Sequence, residues 1–273
     1  MAESAAEIER LAAWLAARSR VTAISGAGVS TESGIPDYRD GDGHWKRAQP
    51  VQYRDFVESE VVRRRYWARS FTGWPMFAAA RPSAAHVALA RLETAGRVAR
   101  LVTQNVDRLH QRAGSLNVID LHGRLDVVRC LSCNNRFGRD GFQHRLREVN
   151  PGWGASPARI APDGDADLEG IDFGAFAAPS CEVCGGVLKP DVVFYGESVP
   201  REVTVAALAA VESADGVLVA GSSLMVWSSF RLVRAAAARG IPIVAVNRGR
   251  TRADDLLAFK CEGECGAVLA SVS

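Results

Sequence analysis

The chain has 273 residues, and 33 Lys+Arg against 31 Asp+Glu leave a net charge of +2 with histidine neutral. With 23% charged and 48% hydrophobic residues, the composition excludes a disordered chain, a collagen-like fibre and a coiled coil. Balanced charge gives no bulk attraction to nucleic acid or an acidic membrane, and no uncharged apolar run reaches the ~18 residues that span a bilayer.

The length suits one large domain with a smaller appendage. At the N-terminus, Glu3, Glu7 and Glu9 argue against a signal or transit peptide. Ile8, Leu11, Ala12 and Leu15 fall at helical spacing and predict an amphipathic surface helix. Without an export signal the six cysteines are expected in a reducing compartment, the cytoplasm. There, clustered cysteines point to metal or redox chemistry rather than disulfides.

Short Val/Ile-rich runs at 21–25, 98–103, 118–121, 216–220 and 241–246 predict buried strands. Helical patterns at 84–92 and 230–238 lie between them. Apolar strands alternating with helices predict an α/β fold with a doubly wound parallel sheet covered on both faces. Residues 41–82 carry Arg and aromatics and read as an irregular, partly helical insertion beside a cleft. Residues 124–187 hold two cysteine pairs around a Gly/Pro/Asp-rich, loop-like segment.

Val21–Ser25 runs into Gly26-Ala27-Gly28-Val29-Ser30, a sharp turn that brings backbone N–H groups toward a diphosphate. The third glycine of G-x-G-x-x-G is absent, since position 31 is Thr, so this turn alone is a weak signal. Next comes a Gly/Pro-constrained loop bearing Ile35, Asp37 and Arg39. Asp37 and Arg39 read either as part of a loop closing over a dinucleotide or as a structural ion pair. Thr103-Gln104-Asn105-Val106-Asp107-Arg108 follows another predicted strand and gathers amides and a carboxylate where the first loop converges. His122, beside Gly123 at a strand end, is the candidate general base. His86 and His110 lie in helical patterns, where structural roles are expected; His44 and His144 lie in variable segments. Gly221-Ser222-Ser223 and Asn247-Arg248-Gly249 are two further turns at strand C-ends, where open α/β sheets bind ligands. Each alone reads equally as turn chemistry.

Cys130-x2-Cys133 and Cys181-x2-Cys184 are two knuckles able to place four thiolates around zinc. A closed four-cysteine site leaves no position for substrate, so the zinc is read as structural. Cys261 and Cys265 are spaced one residue too far for a knuckle and read as unpaired thiols near the last strand.

GAGVSTESGIPDYR, TQNVDRLH, LHG, the paired CxxC, KPDVVFYGE, GSS and NRG occur in this order. Together they resemble the sirtuin (Sir2-like) family of NAD-dependent protein deacylases, over essentially the whole chain. RYWARSFTGWP, the NPGW and APDGD segments and TRADDL are similar to its class II branch, to which the mitochondrial sirtuin 4 belongs. The resemblance implies a Rossmann-like NAD domain from 1–40, 83–123 and 188–273, a helical insertion at 41–82 and a zinc module at 124–187. It implies that Gly26, Ala27, Gly28 and Ser30 meet the diphosphate and its ribose, and that Ile35, Asp37 and Arg39 border the nicotinamide. Gln104 and Asn105 would position the nicotinamide ribose, Asn105 with a catalytic share, and Asp107 the carboxamide. Ser222, Ser223, Asn247 and the backbone near Cys265 would line the adenosine side.

The implied reaction begins when the acyl oxygen of a modified lysine displaces nicotinamide from the ribose. His122 then acts as general base on the ribose hydroxyls, and water releases lysine and O-acyl-ADP-ribose. The acyl-lysine peptide is expected to add as a strand between 193–197, with Val193, Phe194, Tyr195 and Gly196, and 221–226. Many sirtuins carry Gly where Arg108 stands, and its contact is open to the insertion or the substrate. Tyr66 and Arg69, three apart on a predicted helix, read either as a carboxylated-acyl site or as a buried aromatic beside a surface Arg. The loop at 149–180 is expected to reach the acyl channel and disfavour acetyl. Two other functions compete: a mono-ADP-ribosyltransferase on the same NAD site, and a non-enzymatic NAD-sensing zinc adaptor. Residues 124–187 mix Arg with Asp and Glu and show no basic stripe, which argues against a nucleic-acid partner.

Overall fold

A computed structural model describes residues 2–38, 40, 42, 44–46, 50–154, 163–166, 168 and 171–273. Its main sheet comprises six parallel strands: β1 (Val21–Ser25), β2 (Val98–Thr103), β3 (Val118–Asp120), β7 (Gly216–Ala220), β8 (Ile243–Val246) and β9 (Phe259–Cys261). Their order is β3-β2-β1-β7-β8-β9. The order reverses direction between β1 and β7, which makes the C-ends of that pair the switch point where such sheets bind ligands.

The apolar strands are buried on both faces. Val21, Ala23, Leu218 and Val244 join α1 (Ala2–Ala16), α4 (Ala84–Thr94) and α9 (Cys265–Ala270) in one core. Ile24, Val217, Val219 and Ala245 join α7 (Arg201–Glu212) and α8 (Trp227–Ala238) in the other. Alternation therefore changes which helices a residue meets, not whether it is polar. The last long strand starts at Ile243 rather than 241, because Pro242 has no N–H to give the ladder. β9 was not among the predicted strands; its three residues are too short to register as an apolar run.

The smaller module is an antiparallel sheet ordered β5-β4-β6, from β4 (Gly123–Cys130), β5 (Arg136–Gly138) and β6 (Leu188–Val192). It packs on α6 (Arg139–Val149) and on α2 (Tyr53–Glu58) and α3 (Glu60–Ala79), through Phe56, Tyr66, Trp67, Phe71, Phe142 and Leu188. The insertion is more regular than expected, since α3 runs for 20 residues. Its arginines at 63–65 and Pro75 obscure the helical period in sequence. The short helix α5 (Leu109–Arg112) follows the β2 loop. No helix of the described residues is long and apolar enough to cross a membrane.

Candidate active site

The switch point is set by close approach of two loops. The Gly26 N–H donates to the Ala220 carbonyl at 3.1 Å, and the Gly28 N–H to the Gly221 carbonyl at 2.8 Å. A Cβ on Gly28 would lie 2.8 Å from the Gly221 Cα. The two glycines therefore let the β1 and β7 loops touch, and these two N–H groups are spent on that contact. This differs from the expectation that they point at a diphosphate.

A cleft of about 1050 Å³ opens beside these loops, at the upper end of ligand-site sizes. Gly26, Ala27, Gly28, Ser30, Ile35, Asp37, Gln104, Asn105, Asp107 and His122 all line it. So do Ser222, Ser223, Asn247 and Cys265, from three other loops. Asp37 pairs with Lys46. Arg39 lies outside the described residues.

The polar residues after β2 brace each other. Gln104 Nε2 donates to the Ser222 hydroxyl at 2.7 Å and the Ser25 carbonyl at 3.2 Å. Asn105 Nδ2 donates to the Gly26 carbonyl and the Ser30 hydroxyl, each at 3.0 Å. The Ser30 hydroxyl donates to Asp107 Oδ2 at 2.7 Å, and the Leu109 N–H donates to Oδ1 at 2.9 Å. Burial still raises the Asp107 carboxyl above its usual range. On the opposite side Asn247 Nδ2 holds the carbonyls of Arg248 and Gly249 at 3.0 and 3.2 Å. Cys265 donates to the Val246 carbonyl at 3.3 Å, and burial pushes its thiol up to about 12.

His122 sits where the two sheets meet. Gly123, at φ +79°, begins β4; a Cβ there would lie 2.1 Å from the Asp191 carbonyl oxygen. The His122 carbonyl accepts the Val193 N–H at 2.8 Å, tying the histidine to the segment after β6. Its Nδ1 lies 3.1 Å from the Gln104 carbonyl and its Nε2 lies 2.7 Å from Ser228 Oγ. A carbonyl only accepts, so Nδ1 carries the proton and Nε2 presents its lone pair. Burial pulls the imidazole down to about 4, so it is neutral at physiological pH.

His86 and His110 have the structural places expected of them. Their rings lie 4.6 Å apart behind the first loop. Ser83 Oγ and His86 Nδ1 form a capping box at the start of α4, and the Ser83 hydroxyl holds the Val29 carbonyl at 2.7 Å. His110 Nε2 meets Ser25 Oγ at 2.8 Å.

Val193, Phe194, Tyr195, Gly196 and Tyr66 line the far end of the cleft. Tyr66 is buried among Phe56, Trp67 and Phe194, and its hydroxyl makes no hydrogen bond among the described residues. Arg69 is not among the cleft-lining residues. Its Nε donates to the Ala166 carbonyl at 2.8 Å, and its own carbonyl accepts the Ala166 N–H. The loop between the cysteine pairs does reach this end, through Asp163. Arg108 points elsewhere: it ion-pairs with Asp120 at φ +64°. The left-handed backbone explains why glycine suits this position.

Ser228 and Lys189 were not singled out from sequence, and Glu197 entered only as the end of the 193–197 strand. Ser228 offers no sequence signal, because it meets His122 across 106 positions. Lys189 offers none either, because Pro190 and Asp191 share its strand and no apolar run marks it as buried. It is fully buried and its Nζ donates to the Val192 carbonyl and to Glu197 Oε2. Glu197 Oε2 also accepts the Phe194 N–H at 2.9 Å, so the pair shapes the lip of the cleft.

The four cysteines form the expected cluster. Their sulfurs lie within 4.8 Å of one another, with Cys130 and Cys184 at 3.5 Å and Cys133 and Cys181 at 3.8 Å. Tetrahedral zinc with ~2.3 Å bonds places its sulfurs ~3.8 Å apart, so the donor set fits. The two knuckles match: Asn134 donates back to the Cys130 carbonyl and Gly185 to that of Cys181, both at positive φ.

The family model described as the Sir2 family matches residues 26–228. A Bordetella bronchiseptica protein described as an NAD-dependent protein deacetylase is 57% identical, covering 97% of this chain and 97% of its own. The NAD-dependent protein deacylase Sirt4 of Drosophila melanogaster is 48% identical, covering 96% of this chain and 85% of its own. A solved complex of Sir2 with a p53 peptide and NAD+ superposes with TM-score 0.76 at 28% identity, covering 94% of this chain and 93% of that one. The match runs from the glycine turn at Gly26 to the serine that meets His122, and the chain belongs to the Sir2 family, the sirtuins.

Proposed function

We propose that this protein is an NAD-dependent protein-lysine deacylase that yields nicotinamide, free lysine and O-acyl-ADP-ribose. One observation carries the reading: a neutral histidine, its Nδ1 fixed by the Gln104 carbonyl, opens on the same cleft as the β1 and β7 loops. NAD is consumed as a co-substrate; when bound, it supplies a glycosidic bond whose cleavage leaves an electrophilic ribose carbon. The chain's residues do the rest. Gly26, Ala27, Gly28 and Ser30 border the diphosphate and its ribose, while Ser222, Ser223, Asn247 and the Cys265 backbone take the adenosine side. Ile35 and Asp37, with Arg39, enclose the nicotinamide and exclude water.

Asp107 holds the carboxamide, and its two hydrogen bonds fix the direction of that contact. Gln104 and Asn105 carry the nicotinamide ribose, and their bonds to Ser222, Gly26 and Ser30 remove the freedom that binding would otherwise cost. His122 Nε2 accepts the proton of a ribose hydroxyl, which makes that oxygen nucleophilic toward the acyl carbon. The peptide lies between 193–197 and 221–226, its backbone paired on both sides. Tyr66 meets the acyl group, whereas Arg69 holds the loop at Ala166. Zinc, held by Cys130, Cys133, Cys181 and Cys184, joins the end of β4 to the segment leading into β6 and takes no part in the reaction. A reducing compartment, the cytoplasm, suits four metal-binding thiols and two further free cysteines.

Mass spectrometry of protein, NAD and a panel of acyl-lysine peptides tests this reading. The panel runs from acetyl to longer, lipoyl and carboxylated chains. Peptide-dependent nicotinamide and O-acyl-ADP-ribose are expected, with loss of both the acyl transfer and its product in His122→Ala while NAD still binds. Nicotinamide accompanied by ADP-ribosylated protein, without acyl transfer, would replace the deacylase with a transferase.

A further inference from the structure

Ser228 stands between the cleft and the base. The Nδ1 proton of His122 is committed to the Gln104 carbonyl, so Nε2 has one in-plane lone pair to offer. The Ser228 hydroxyl already occupies it at 2.7 Å, and Ser228 itself lines the cleft. A second hydroxyl can reach that lone pair only by displacing Ser228 or by passing its proton through it. The serine is well made for the second route. Its single O–H donates to Nε2, and its oxygen keeps lone pairs that accept a further O–H. Ser228 lies in the first turn of α8, which packs through Leu232, Val233 and Ala236 into the sheet core, so its place relative to His122 is set by the fold. No other hydrogen bond of the Ser228 side chain competes for it among the described residues.

We propose that Ser228 is a proton relay between the ribose hydroxyl and His122. The hydroxyl's O–H bond breaks as a new O–H forms on Ser228 Oγ. The original Ser228 O–H breaks in the same event as N–H forms on Nε2. The products are an alkoxide, which attacks the acyl carbon, and an imidazolium; Ser228 ends as it began. The relay rests on the deacylase reading and adds to it a second residue for its base-catalysed half.

The first test needs neither NAD nor turnover. In ligand-free protein, the 15N resonance of His122 Nε2 is expected to be that of a hydrogen-bonded acceptor. It should move to that of an unbonded ring nitrogen in Ser228→Ala and stay in place in Ser228→Thr, which keeps the hydroxyl. The second test separates the two halves of the reaction. Ser228→Ala is expected to slow O-acyl-ADP-ribose formation at least ~10-fold, within the range of proton-transfer catalysis, while exchange of labelled nicotinamide into NAD stays within ~3-fold. Ser228→Thr should recover most of the loss, and Ser228→Ala should add nothing to His122→Ala. An unmoved Nε2 resonance, or wild-type product formation in Ser228→Ala with normal turnover by the parent protein, would overturn the relay alone. A parent protein that turns over no acyl peptide would overturn the deacylase reading and the relay with it.

Discussion

Replacing His86 by Gln removes one buried proton site, and urea melts read its effect on stability without relying on turnover. Burial pulls His86 down to about 4 from its ordinary 6.5. The unfolded chain therefore takes up a proton below pH 6.5 that the folded protein refuses until about pH 4. Stability is lost across that window as the pH falls. One proton difference is worth about 1.4 kcal/mol per pH unit, so His86 costs the fold about 2 kcal/mol between pH 7.5 and 5. Gln at this position keeps the capping-box geometry, since its side-chain oxygen can accept the Ser83 N–H that His86 Nδ1 accepts now. At pH 7.5 the variant is expected to be about 1 kcal/mol less stable, through its lost contact with Ser30. At pH 5 that deficit should reverse to an advantage of about 1 kcal/mol. Urea melts of both proteins from pH 7.5 to 5 measure the gap. The comparison cancels Asp107, Asp120 and Asp165, whose raised carboxyls work in the opposite direction with acid. A gap that stays constant across this range would show that His86 does not titrate as its burial requires.

Four further outcomes are expected. On the His122 limb, kcat/KM should stay level from pH 8 to about 5.5 and fall as the imidazole of the free protein charges near 4, as its pH profile would read. Lys189→Met removes a buried ammonium from Glu197 and should cost about 3 kcal/mol in urea melts, with KM for peptide rising more than KM for NAD. Zinc analysis should find one metal per chain, and its removal by a chelator should shift the fluorescence of Trp67 and Trp74 by loosening the module they pack in. Arg108→Gly relieves about 1 kcal/mol of left-handed strain but strips a half-buried Asp120 of its ion pair. Alone it should destabilise; in an Asp120→Asn background the same change should stabilise, and thermal melts of the four proteins decide.

The parallel sheet was legible because its central strands are buried on both faces and so read as unbroken apolar runs. β9 was not, because three residues paired to β8 carry no periodic signal. The long helix α3 was half legible. Its buried residues Tyr66, Trp67, Ser70, Phe71, Trp74 and Phe77 do follow helical spacing. Arginines and a proline between them blur the stripe, and only contact with β4, β6 and α6 makes that face a core.

The same distinction runs through the site. Residues at the C-ends of strands announced themselves, because position in an open sheet and chemical type point the same way at Gln104, Asn105, Asp107 and His122. Their pairings did not, because each partner comes from a distant loop: Ser222 for Gln104, Gly26 for Asn105, Ser228 for His122. Sequence names the polar groups that line the cleft, whereas the fold decides their tautomer, their charge and what already occupies them. The first glycine turn makes the point in reverse. Its pattern suggested N–H groups aimed at phosphate, yet those of Gly26 and Gly28 hold the β7 loop. Glycine is needed there because a Cβ on Gly28 would lie 2.8 Å from the Gly221 Cα, a steric demand of the loop whose Gly26 carbonyl also accepts the Asn105 amide. A side chain at Gly28 would therefore act first by separating the β1 and β7 loops, and should weaken NAD binding and fold stability together.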